Sequence, residues 1–123
     1  MSFMSVDGTR SATKHAGVPA IITVPFDKGT AGKLKIVEGP TDGRKVKLHS
    51  YLITAQSAGR ATFATSATGD ITSLTGEIVL AQGTPASQDG GFNGLGECTL
   101  DQDLIVSSVG AGVNGNVSYS LVP

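Results

Sequence analysis

No stretch of this chain sustains an apolar period of 3.6 residues. Short runs rich in β-branched residues follow one another instead, cut off by turns bearing Gly and Pro. These runs are AIITVPF (20–26), KLKIVE (33–38), RKVKLHSYLITA (44–55), RATFATS (60–66), ITSLTGEIVL (71–80), ECTL (97–100), DLIVSSV (103–109) and NVSYSLV (116–122). About eight short strands with brief connections exclude parallel crossovers, each of which needs a dozen or more residues. The expected fold is therefore all-β, an antiparallel β-sandwich or jelly roll. The high glycine count, 17 of 123 residues, suits a fold made of many turns.

Within the longest run, Val46 and Leu48 alternate with Lys45 and Lys47, the pattern of a half-buried strand. The alternation loosens near Tyr51, Leu52 and Ile53, which points to a bulge or to burial on both faces. His49 stands beside the lysines and is expected at the surface.

Near the C-terminus, GAGVNG (110–115) matches the G-x-G-x-x-G pattern of dinucleotide-binding loops. That pattern cradles phosphate only between a strand and a helix, with an acid about 20 residues further on. Eight residues follow Gly115, and they alternate with period 2. The nucleotide reading lacks its context. Asn114-Gly115 is expected to be a turn joining the last two strands, because both residues tolerate positive φ.

Other chemistry is sparse. Ala55-Gln56-Ser57-Ala58-Gly59 lacks the first glycine of a nucleophile elbow, and strands flank it on both sides. Two histidines and one cysteine make a structural zinc site improbable and an internal disulfide impossible. Cys98 has no basic neighbour in sequence to activate it. Asp101 and Asp103 offer two carboxylates without further calcium ligands in line. Nucleic-acid binding is not expected from a short Lys45/Lys47 stripe with few aromatic residues. No run nears the ~18 apolar residues of a membrane span, and the N-terminal stretch lacks the apolar region of a secretory signal. The expectation is no enzyme, no catalytic residue, no metal and no cofactor, in a protein made in the cytoplasm.

Three features point to a partner instead. All nine Lys and Arg lie at or before Arg60, with four acids, while the other six acids lie beyond it. The halves carry +5 and −6, either mixed by interleaving strands or set apart for docking. Residues 1–18 are polar and aperiodic and are expected to form an arm ahead of a sandwich over 19–123. The connection 81–96 is long for so small a domain and carries Phe92 and Leu95 between glycines, either folded back on the sandwich end or anchoring a partner. Arg10, Lys14, Lys45, Lys47, Phe92 and Leu95 form the candidate contact set.

From about Gly39 to Val122 the chain resembles the small all-β head proteins of tailed bacteriophages, including capsid decoration (cement) proteins. The resemblance rests on VKLHSYLITA, AGRATF, SLTGEIVL, GGFNG and the closing LIVSSVGAGVNGNVSYSLV. It implies a virion protein on the capsid surface, often a trimer, that clamps neighbouring copies of the major capsid protein. A glycan-binding sandwich module of a fibre or tail is the alternative. The absence of Trp and the presence of only two Tyr argue against it.

Overall fold

The computed structural model describes residues 20–67 and 70–123. Their strands are β1 (Ile22–Lys28), β2 (Gly32–Val37), β3 (Lys45–Ala55), β4 (Gly59–Ala67), β5 (Asp70–Ser73), β6 (Ile78–Leu80), β7 (Ala86–Asp89), β8 (Gly96–Glu97), β9 (Asp103–Val109) and β10 (Val113–Val122). One sheet has the order β1-β10-β3-β7, with β8 also on β3. The other has the order β2-β9-β4-β5, with β6 also on β4. Every strand pairing is antiparallel. The two sheets pack face to face, so the expected sandwich is established. The expected arm, 1–18, with Arg10 and Lys14, lies outside the described residues.

The chain passes between the sheets at most connections. Strands of the basic half and the acidic half therefore sit side by side in both sheets. Two of the ion pairs join the halves in sequence: Lys45 Nζ lies 3.2 Å from Glu97 and Arg60 3.7 Å from Glu77. The charge asymmetry of the sequence is mixed in space.

The core is built from the alternate residues that face between the sheets. Val46, Leu48, Tyr51 and Ile53 of β3 and Val113 and Val117 of β10 meet Phe63 of β4 and Leu104 and Val106 of β9. Phe63 is fully buried, and its ring lies 5.9 Å edge-on from Phe26 and 4.8 Å from Tyr51. One aromatic residue of the second sheet thus contacts two strands of the first.

Three sequence expectations are corrected. ITSLTGEIVL is not one strand but two, β5 and β6. Between them the loop turns its backbone to β4: Leu74 N–H donates to the Phe63 carbonyl at 2.8 Å, and Thr75 Oγ1 accepts from Phe63 N–H at 3.2 Å. Second, the 81–96 connection is not all loop, because β7 pairs with β3, and of ECTL only Glu97 lies in a strand. Each sheet thus ends in a broken edge strand, and short edges of this kind discourage pairing with another chain.

Third, Asn114 and Gly115 lie inside β10, paired with Thr54 and Ile53. The chain turns earlier, at Gly110–Gly112, where Gly110 takes φ +84°. This turn is a corner between sheets and not a hairpin, since β9 and β10 belong to different sheets. The bulge expected near Tyr51 is present and falls just before it. Ser118 pairs with Ser50 and Tyr119 with Leu48, leaving His49 as the extra residue of a bulge. The bulge switches the buried parity from Val46 and Leu48 to Tyr51, Ile53 and Ala55.

Cys98 is buried, 1% exposed, at one end of the core. Burial pushes its thiol up to about 11. At pH 8 the native thiolate fraction is then about a thousandth, and the thiolate is the reactive form. Labelling with iodoacetamide at pH 8 is expected to be slow in the folded protein and fast in denaturant; equal rates would refute the burial. Because this acid is harder to ionise when folded, its contribution to stability is whole below pH 9 and is lost as pH rises through about 11.

Candidate functional site

His49 is not a surface residue. It is 7% exposed, on the outer side of the β1-β10-β3-β7 sheet. The bulge turns its ring between β10 and the segment that leaves β7. Nδ1 lies 2.9 Å from the Gly91 carbonyl, and Nε2 lies 2.7 Å from Ser120 Oγ. A carbonyl can only accept, so Nδ1 carries the proton. In the neutral ring Nε2 then accepts from the Ser120 hydroxyl.

Opposite the bulge, the edge strand breaks as well. Gly90 N–H donates to the His49 carbonyl at 2.8 Å and Leu95 N–H to the Leu48 carbonyl at 2.7 Å. The residues between form a single 3-10 turn, Gly91–Asn93. Asp89 Oδ1 accepts from Gly91 N–H at 2.8 Å and fixes the entry to this turn. The His49 ring pins the same residue through its carbonyl.

Beside this pin a transverse row crosses four strands: Thr23, Ser118, Ser50 and Asp89 are successive register partners. Thr23 and Ser118 join their hydroxyls at 2.8 Å. A cavity of about 300 Å³ opens on the row, lined by Ile21, His49, Ser50, Asp89, Gly91 and Ser118. This is near the lower size limit of small-ligand sites.

The residues expected to make contacts are distributed differently. Lys45 pairs with Glu97, and Lys47 stands in register between Glu97 of β8 and Ser120 of β10. A side chain on Gly94 would reach within 2.8 Å of the Lys47 stem, so the turn lies close over it. Leu95 is half-buried and packs on the core, the folded-back arrangement. Lys45, Lys47 and Leu95 thus gather at one end of β3. The backbone of Phe92 belongs to the 3-10 turn; its side chain lies outside the described ones, as do Arg10 and Lys14.

Asp103 serves the fold, while Asp101 is exposed. Asp103 Oδ1 accepts from Gly39 N–H at 2.7 Å, and Gln102 between them accepts from Thr65 Oγ1 at 2.9 Å. Among the described residues no group of three metal-ligating side chains converges. His49, Ser50, Asp89 and Ser118 were missed from sequence. The only trace of them was the loosened alternation of β3.

Replacing His49 by alanine removes the partner of Ser120, itself 1% exposed. A buried hydroxyl left unpaired costs about 1–3 kcal/mol. His49→Ala is expected to lower stability by that amount and to speed amide exchange at Gly91 and Gly94. His49→Ala and Ser120→Ala combined should cost less than their sum, because they break one hydrogen bond. Full additivity in thermal unfolding would show that the pair does not act together.

No model of a known protein family matches this chain, and comparison with curated proteins finds no similar sequence.

Proposed function

We propose that this chain is a virion structural protein of the capsid decoration type, binding the assembled phage head and stabilising it. The observation that supports the reading is the outer face of the β1-β10-β3-β7 sheet. Thr23, Ser118 and Ser50 form one register row there and Pro25, Asn116, Leu52 and Ser87 the next, with Leu52, 40% exposed, on an inner strand. Short side chains make a surface of low relief, and exposed apolar residues, Leu52 and Ile21, set among polar groups are the arrangement of a docking face. The partner in this reading is the major capsid protein, and the protein works as a homo-oligomer, a trimer in the resembling family.

The test is sedimentation of the purified protein with empty heads, paired with mass spectrometry of virions. Saturable co-sedimentation, weakened by Leu52→Asp, is expected. Absence of the chain from virions would overturn the reading. The glycan-module alternative gains little from the geometry, since none of the residues described as lining the cavity is Trp, Tyr or Phe.

A further inference from the structure

We propose that the cavity beside His49 receives a primary ammonium group, presented as a lysine side chain by the docking partner. Asp89 carries the argument. It is the only ionic group in the row Thr23, Ser118, Ser50, Asp89. No cation among the described residues pairs with its carboxylate. One of its oxygens is engaged by Gly91 N–H at 2.8 Å, and the other has no partner among the described residues. The Ser50 hydroxyl is its register neighbour on β3, one strand spacing away.

The chemistry selects among ligands. A guanidinium presents a planar fork that matches two free carboxylate oxygens; an ammonium is a compact charge with three donors. One open carboxylate oxygen beside hydroxyl acceptors suits the ammonium. Ile21, 53% exposed, offers an aliphatic wall for the methylene stem of a lysine. A sugar ring would seek the broad platform of a Trp, Tyr or Phe, and the described lining has none of these. His49 and Asp89 hold Gly91 from two sides, so the far wall is set before a ligand arrives.

The choice of a partner protein as the source of this ammonium rests on the capsid reading above; the preference of the cavity for the group does not. The test therefore begins with a small probe. The ¹⁵N-labelled full chain is titrated with n-butylammonium chloride, with n-butanol, n-butylguanidinium and methyl glucoside in parallel, at constant ionic strength. Saturable shifts at the amides of Ser50, Asp89, Gly91 and Ser118 are expected with butylammonium, with a Kd of the order of 1 mM or weaker. Asp89→Asn keeps the oxygen that caps Gly91 and removes the charge. It should preserve the spectrum and weaken binding at least tenfold. No saturable shift, an equal response to butanol, or a stronger response to butylguanidinium or to the glucoside overturns the ammonium assignment. Tighter probe binding by Lys14→Ala would mean that the chain fills the cavity itself, and it overturns the partner source. If heads bind the protein, Asp89→Asn should weaken that binding; unchanged binding also overturns the partner source while leaving a positive probe titration intact.

Discussion

Phe63→Ala is expected to lose about 3–5 kcal/mol of stability, the range for a large aromatic residue removed from a core. Phe63 is fully buried at the centre of the sandwich, with Phe26 of β1 and Tyr51 of β3 against its ring. Its removal empties the space between the sheets where little else can collapse, because the flanking positions belong to hydrogen-bonded strands. A domain of this size holds some 5–15 kcal/mol in all. The melting temperature should therefore fall by roughly 10–20 °C. Phe63→Leu fills most of the space and should cost much less. Thermal unfolding of both variants checks the claim. If Phe63→Ala falls by no more than Phe63→Leu, the sheets repack and the aromatic cluster is not the anchor.

The strand that carries Phe63 was legible in the sequence, and so was most of the sandwich, for one reason. Where a strand has one buried and one wet face, residue type alternates with period 2, as it does in KLKIVE and in Lys45–Leu48. What was not legible depends on contacts between strands far apart in sequence. Nothing in ITSLTGEIVL indicates that the strand must break where Leu74 and Thr75 bond to Phe63. Likewise β7, Ala86–Asp89, has a weak strand sequence, ASQD, and owes its extended form to the ladder with β3.

The candidate site was hidden for the same cause. Ser50, Ser118 and Asp89 are common surface residues when read singly, and their sequence separations say nothing of register. His49 was misplaced because, although it keeps the outward parity of Lys45 and Lys47, the Gly91 turn covers it and holds its ring. A bulge is a property of two strands, and its partner, the Ser118–Tyr119 step, lies some seventy residues away. The Lys45 and Lys47 stripe was read correctly as outward-facing, but the acid that answers Lys45 comes from β8.

Gly115→Ala is the substitution expected to do comparable damage at the least change in size. In β10, Gly115 sits at the parity of Val113 and Val117, between Phe26 and Ile53 in the register of the sheet. Its φ of +156° is one that residues with a side chain rarely adopt. A Cβ there would collide with the Leu52 carbonyl oxygen, which is backbone and cannot swing aside. The glycine of Asn114-Gly115 is thus required by the close approach of β3 and not by a turn. Relief needs a shift of the central strand pair, and the cost should be about 3 kcal/mol or more, combining overpacking with backbone strain. The two explanations of this dipeptide differ at its other member. Were Asn114-Gly115 a turn with both residues at positive φ, Asn114→Ala would also be harmful. In β10, Asn114 is exposed and extended, so Asn114→Ala should change stability by no more than about 0.5 kcal/mol. Denaturant unfolding of the two variants separates the cases. Parallel losses would restore the turn, while a large loss at Gly115 alone places the constraint on the carbonyl of the neighbouring strand.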